Sequence, residues 1–545
     1  MTTNIADIFV LTAEQKKKEI GIIEAVTGEK FTFGHLNSMS DRYATYFVEK
    51  GMRPGNVVML MVKPSADFVS LTLALFKIGT PVVLIDPGMG FKNLLRCIAR
   101  VEPQFLIGIP KALLFSKIFS NHFKTIKASF CCGQSFGIFG RDIRKIVLHK
   151  TVSFPVYQPD PEDLAAIIFT TGSTGPPKGV RYEHSVFAAQ LRLVKDYYGI
   201  TPEDIDQPAF PLFALFSAAI GACSVVPYMD STKPAQVDPE KFINSIVKNN
   251  VTYSFGSPAI WNVVSNYCIG KNISLPSVKK VLMAGAPVPY DLIRRVRTIL
   301  PEDAKIFTPY GATECLPIVS MEGSEILNET WEKSRKGRGT CVGRPLPGID
   351  IQIIAIKDTI VEELTEDLIL GTMEKGEIIV RGDVVTKAYE KNARETLLAK
   401  IRDDKSFWHR MGDIGYLDEQ QRLWFCGRKA HRVETGSETL FSVTCEAIVN
   451  EHPDVFRSAL VGIKKNIDSN NQCPVLIIEL VQSKNVQKQN VLSEIRILAQ
   501  KSDLTKNIEH FLIHEKFPVD IRHNAKIFRE KLAIWAQNKI YPQQQ

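Results

Sequence analysis

The sequence predicts an α/β protein in two parts. Residues 1–427 would form a large domain of parallel sheets covered by helices, with a small barrel-like region of short strands. Residues 428–545 would form a small, mobile α+β C-terminal domain. Three observations predict this. Short apolar runs alternate with helical patterns through the first 350 residues, the signature of strands buried on both faces. From about residue 343 the texture changes to short strands and turns, as in VGRPLPGIDIQIIAI and GEIIVRGDVV. After Gly427 comes a compact tail with strand and helix signals of its own.

The elements follow in chain order. NVVMLMV (56–62), TPVVLID (80–86), LAAIIFT (164–170) and KKVLMAGA (279–286) have strand length and composition. SADFVSLTLALFKIG (65–79) and DLIRRVRTIL (291–300) between them suit helices. Residues 209–229, AFPLFALFSAAIGACSVVPYM, carry no charge, and their length suits a membrane span. Pro211 and Pro227 bracket them, however. The helix between is at most about fifteen residues, or ~22 Å, against a hydrocarbon core of ~30 Å. A buried helix is the expectation, and the chain is not expected to be an integral membrane protein.

Composition excludes other classes. A chain of 545 residues, 45% hydrophobic and 23% charged, is neither disordered nor fibrous. The formal charge of +8 is mild over that length and predicts no nucleic-acid partner. The ten cysteines include no CxxC pair and no zinc spacing, and MTTNIADIFVLTAEQKKK lacks the order of a signal peptide. Both point to a reducing, cytoplasmic setting.

The chemistry begins at Thr170-Thr171-Gly172-Ser173-Thr174-Gly175-Pro176-Pro177-Lys178-Gly179, directly after an apolar strand. Glycines let the backbone turn and aim N–H groups at phosphate oxygens; the hydroxyls add donors, and Lys178 adds positive charge. The loop suits a polyphosphate but is no Walker A motif. Pro177 stands where that motif needs its second glycine, and Gly179 follows the lysine.

This string resembles the phosphate loop of the adenylate-forming enzymes: acyl-CoA synthetases, peptide-synthetase adenylation domains and luciferases. Further matches occur in that family's order. Ala284-Gly285-Ala286-Pro287 resembles its adenine-side loop, Tyr310-Gly311-Ala312-Thr313-Glu314 its aromatic-Gly-x-Thr-Glu motif, and Met411-Gly412-Asp413 its Thr-Gly-Asp. Gly427-Arg428-Lys429 resembles the start of its hinge, and Lys526-Ile527-Phe528-Arg529 its C-terminal catalytic lysine motif. The resemblance spans about residues 20–535.

It implies ATP and Mg²⁺ as cofactors and assigns roles residue by residue. Glu314 would be a hard oxygen ligand for Mg²⁺. Thr313 would bond the α-phosphate, Tyr310 would stack on adenine, and Asp413 would accept from both ribose hydroxyls. Arg428 would lie near the ribose or phosphates. Lys526 would neutralise charge as a carboxylate attacks the α-phosphorus. His184 matches a common family histidine, with a capping or packing role equally open.

Within the family, LIDPGMG (84–90), FPLFALF (210–216), DSTKPAQVDP (230–239) and RHNAKIFREKLAIWA (522–536) resemble the β-lactone synthetases of bacterial olefin biosynthesis. Ala214 takes the place of a gate residue, and Phe210, Phe213, Ala214 and Phe216 are candidate walls of an acyl tunnel. Ala430 stands at the usual hinge pivot, followed by His431, and VETGSETLFSVTCE keeps Gly436 but not the family's usual Gly-Tyr-Arg-Val. The implied reaction is activation of a fatty acid, best a long-chain β-hydroxy acid, as acyl-AMP, then ring closure by its own hydroxyl. The alternative is a medium- or long-chain acyl-CoA synthetase or acyl-AMP ligase. Assembly with other olefin-pathway enzymes follows if the subfamily resemblance holds.

Overall fold

The computed structural model describes residues 3–147, 153–170, 176–404, 406–465, 471–481, 487–519 and 527–542. Two sheets with parallel cores form the first 310 residues. One has six strands in the order Ala128–Cys131, Phe105–Gly108, Val58–Met61, Val82–Leu84, Leu164–Phe169 and Gly179–Glu183, all parallel except the last. The other has seven, in the order Lys305–Phe307, Lys280–Met283, Tyr253–Gly256, Ile205–Asp206, Cys223–Val226, Ile20–Glu24 and Lys30–Thr32. Only its last strand is antiparallel. Helices pack on the faces of both, which explains the apolar runs that alternate poorly with polar residues.

The helix Ala66–Ile78 shows how local sequence sets the boundaries. Ser65 Oγ accepts from Phe68 N at 3.1 Å and caps the start, and Gly79 at φ 79° ends it. The helix is buried nearly all round, including Lys77. Its ammonium is matched inside by Asp41 Oδ1 and Asn37 Oδ1, each at 2.6 Å.

Residues 211–226 resolve the uncharged stretch. The helix is Pro211–Ile220, only ten residues, and Gly221 at φ 93° turns the chain into strand Cys223–Val226. Glycine stops the helix well before Pro227 does. Among the described residues no helix is long and apolar enough to cross a membrane.

An eight-stranded antiparallel sheet follows. Its path runs Tyr310–Ala312, Cys315–Ser320, Thr340–Pro345, Leu423–Arg428, Ser406–Leu417, Gly376–Arg381 and Asp350–Ile354, with Lys400–Asp403 added against Ser406–Leu417. The chain then leaves this sheet after Arg428. The small C-terminal domain has a three-stranded sheet of its own, Val455–Ile463, Cys473–Leu480 and His510–Ile513. Helices Ser442–Val449, Lys488–Gln500 and Arg529–Ile540 cover it.

Candidate active site

Parallel strands bring successive loops to one rim, at their C-terminal ends. Lys280–Met283 and Lys305–Phe307 are neighbours in register, so Ala284–Pro287 and Thr308–Glu314 emerge side by side. Gly285, at φ 92°, turns the first of these loops, and Ala286 and Pro287 complete it at the surface. The second loop doubles back at once, pairing Ala312 with Cys315. Gly311 is required there by space: a Cβ would lie 2.6 Å from Cys315 O.

This turn is fixed from three sides. The Tyr182 hydroxyl donates to Thr313 O. Thr386 donates to Glu314 O through both N (2.9 Å) and Oγ1 (3.0 Å). The Tyr389 hydroxyl donates to Glu314 Oε1 at 2.7 Å. Segment 386–389 thus holds both the backbone and the carboxylate of Glu314. Tyr389 also lies under Lys178, whose Nζ is 5.1 Å from the ring centroid and ion-paired with Glu395. The phosphate-type loop is closed at its neck: Thr170 N donates to Lys178 O at 3.0 Å, and Lys178 N to Thr170 Oγ1 at 3.4 Å. Thr171, Gly172, Ser173, Thr174 and Gly175 lie outside the described residues.

Asp413 sits buried on the strand Ser406–Leu417, opposite Arg428 on the neighbouring strand. Its Oδ2 accepts from the Tyr310 hydroxyl at 2.6 Å, and Arg428 Nη1 stands 3.0 Å from Oδ1. Burial pushes the Asp413 carboxyl up, against the pull of Arg428 and the Tyr310 hydroxyl. Asp413 in turn holds Arg428 more firmly protonated. A carboxylate has about four acceptor positions, so these contacts leave capacity for ribose hydroxyls. Met411, in the place of a threonine, is buried with its Sδ 3.2 Å from Cys315 Sγ, an apolar contact under the turn.

Four residues not singled out from the sequence support the site: Tyr182, Thr386, Tyr389 and Lys400. Lys400 Nζ donates to Thr386 O, behind the Glu314 turn, and burial lowers its pKa to about 8. Tyr389 is the direct partner of Glu314. Each lies more than seventy positions from Glu314, so no local spacing could reveal them. His184 is packed, not presented: it is buried with its ring edge-on to Phe76 at 5.4 Å.

The candidate tunnel residues lie around the helix Pro211–Ile220. Ala214 and Phe216 are buried in the core, Phe213 stacks on Phe255 at 3.7 Å, and Phe210 is exposed. Lys526 lies outside the described residues, but its flank is anchored. Phe528 N donates to Pro518 O at 2.9 Å, and Arg529 Nη2 to Glu446 Oε2 at 2.8 Å.

A carboxylate, a lysine linked to it through Tyr389, and an Asp–Tyr–Arg cluster around the buried Asp413 suit a nucleoside triphosphate. The family model described as "AMP-binding enzyme" matches residues 10–390. The chain belongs to the AMP-binding enzyme family. It is 40% identical over 517 residues to a protein named olefin beta-lactone synthetase from Xanthomonas campestris pv. campestris, covering 93% of this chain and 90% of that one. A protein of the same name from Stenotrophomonas maltophilia is 40% identical over 514 residues, covering 93% and 91%. In fold it is similar to ATP-bound MatB from Rhodopseudomonas palustris, with TM-score 0.78 and 19% identity over 99% of this chain and all of that one. This protein is an adenylate-forming ligase, of a family that uses ATP.

Proposed function

We propose that this protein activates a long-chain β-hydroxy fatty acid with ATP and closes it to a β-lactone. The observation that carries this reading is 40% identity across 93% of the chain to proteins named for that activity. Ala430 at the hinge pivot, the altered loop 430–446 and the small residue Ala214 support it.

The chemistry is as follows. A carboxylate oxygen of the acid attacks the α-phosphorus of ATP, and pyrophosphate leaves. The β-hydroxyl oxygen then attacks the activated acyl carbon, its proton is lost, and AMP leaves. Ring closure is intramolecular, so proximity replaces a second bound substrate. Thr170–Gly175 and Lys178 would cradle the phosphates. Thr313 and Lys526 would stabilise charge at the α-phosphate. Tyr310 and Gly285–Pro287 would border the adenine, with Gly311 and Ala312 beneath. Asp413 and Arg428 would hold the ribose.

Glu314 would hold Mg²⁺. One carboxylate fits that ion, which keeps several waters and takes its other ligands from phosphates. Mg²⁺ would supply charge neutralisation on the phosphates. Among the described residues no group of three or more His, Cys, Asp or Glu is arranged to hold a metal. The fit therefore depends on the nucleotide supplying ligands.

The helix Pro211–Ile220, with Phe210, Phe213, Ala214 and Phe216, would line the acyl tunnel. Residues 428–545 would close over residues 1–427, bringing Lys526 to the phosphates. A cytoplasmic location and assembly with other olefin-pathway enzymes belong to the same reading. Incubation with ATP, Mg²⁺ and a long-chain β-hydroxy acid, with products identified by mass and NMR, tests it. A 2-oxetanone is the expected product; free acid or a mixed phosphate anhydride alone would reject ring closure.

A further inference from the structure

The formal charge of +8 is not spread along the chain. Residues 91–145 contain ten Lys or Arg and only two acidic residues, Glu102 and Asp142. Their net charge equals that of the whole protein, and the other 490 residues balance. The same segment exposes large apolar side chains: Phe136 is 95% exposed, Ile138 69%, Phe91 68%, Ile118 65% and Leu114 47%.

These side chains form one surface. Phe91, at the start of helix Phe91–Val101, meets Phe115 of helix Pro110–Ile118 at 5.7 Å between ring centroids. Lys111, Leu114, Lys117 and Ile118 recur at helical spacing on the outer face of that second helix. Lys117 Nζ lies 5.4 Å from the ring centroid of Phe139, which joins the helix to the loop 133–140. That loop is a tight turn, with Ser135 Oγ donating to Gly140 O at 2.8 Å. Phe136 sits at its tip in the left-handed region, φ 50°, an unfavourable conformation for an aromatic residue. Lys92, Lys111, Lys117 and Arg141 are exposed around these tips.

The strands Val82–Leu84, Phe105–Gly108, Ala128–Cys131 and Leu164–Phe169 run parallel. The loop 133–140 and both helix starts therefore share a rim with Thr170.

We propose that this surface docks the protein on an anionic lipid bilayer. Phe136, Ile138 and Phe91 would enter the boundary between headgroups and acyl chains, and the surrounding lysines and Arg141 would lie against the lipid phosphates. Charge alone would equally suit a nucleic acid, but large exposed apolar side chains interspersed with exposed basic ones match a surface that is charged outside and apolar just beneath. The inference stands on surface chemistry and does not depend on the lactone product.

The test is flotation of the full chain with vesicles of phosphatidylcholine alone and of phosphatidylcholine with phosphatidylglycerol in a two-to-one mixture. Each basic side chain near such a surface raises partitioning roughly fivefold. At least ~tenfold stronger binding to the anionic vesicles is expected, falling at high salt. Phe136→Ser with Ile138→Ser should lower that binding roughly tenfold. Lys92→Glu with Lys117→Glu should remove the preference for phosphatidylglycerol. Both variants should keep the parent's exchange of pyrophosphate into ATP with a short, soluble acid. Equal binding to both vesicles, or undiminished binding by the Phe136/Ile138 variant, would overturn the proposal. So would a parent dimer that the Phe136/Ile138 variant fails to form, since a second copy would then be the occupant.

Discussion

Glu314 is held by contacts from distant parts of the chain, and that makes its role measurable. The Tyr389 hydroxyl bonds its carboxylate, and Thr386, backed by Lys400, bonds its carbonyl. Tyr389→Phe removes one hydrogen bond to a charged group, which should cost roughly tenfold in kcat/KM and raise the Mg²⁺ requirement. Unchanged magnesium dependence would detach Tyr389 from the site. Lys526→Ala should reduce acid-dependent exchange of pyrophosphate into ATP by ~10²-fold or more. Full exchange in that variant would remove Lys526 from activation. His184 gives a different kind of prediction. Burial lowers its pKa from 6.5 to about 4, so below pH 6.5 the unfolded chain binds a proton that the folded one refuses. Its effect on stability is nil above pH 6.5 and grows to a loss of about 3 kcal/mol as the pH falls to 4. In His184→Phe, unfolding followed between pH 6.5 and 4 should lack that component. An identical pH slope in both proteins would contradict this account.

The helix Pro211–Ile220 and the antiparallel turn at Thr313–Glu314 show what sequence conveys about elements and what it leaves out. Apolar runs and helical spacing made the helix at 66–78 and the strands at 58–61, 82–84, 164–169 and 280–283 legible, because their causes are local. Pro211 likewise marked a helix start, but Gly221, not Pro227, ends the helix. The pairing of Asp413 with Tyr310 and Arg428, and of Glu314 with Tyr389, was not legible, because antiparallel register is fixed by long-range packing. The basic, apolar surface of 91–145 was hidden by averaging charge over the whole chain. The proposed tunnel makes one prediction at this level. Ala214→Phe should obstruct a path along the helix, lowering turnover of long acids far more than of short ones. Overpacking a buried site also costs about 1–3 kcal/mol of stability, so melting must be measured in parallel. An equal fall for short and long acids would count against a tunnel there.

Between the two domains, the chain at 427–432 is tied in both directions. Gly427 sits at φ 141°, where a Cβ would fall 2.5 Å from Ser442 Oγ of the C-terminal domain. Lys429 Nζ bonds Glu377 Oε1 at 2.9 Å, and Arg432 Nη2 bonds Asp358 Oδ2 at 2.5 Å, both on the N-terminal domain. In the proposed closure, which would bring Lys526 to the phosphates, these ion pairs would rearrange. Limited proteolysis should cut near 427–440 without ligands and be slowed by ATP and acid together; equal cutting in both conditions would argue against closure. The central claim, that the nucleophile of the second step lies within the substrate, has a more direct test. AMP release is measured for a long-chain 3-hydroxy acid and its unsubstituted counterpart, each with and without CoA. The account predicts sustained release from the 3-hydroxy acid alone, indifferent to CoA, with a 2-oxetanone formed in equal amount, and stalling with the unsubstituted acid. Strong CoA stimulation with both acids, and thioester as the main product, would contradict it.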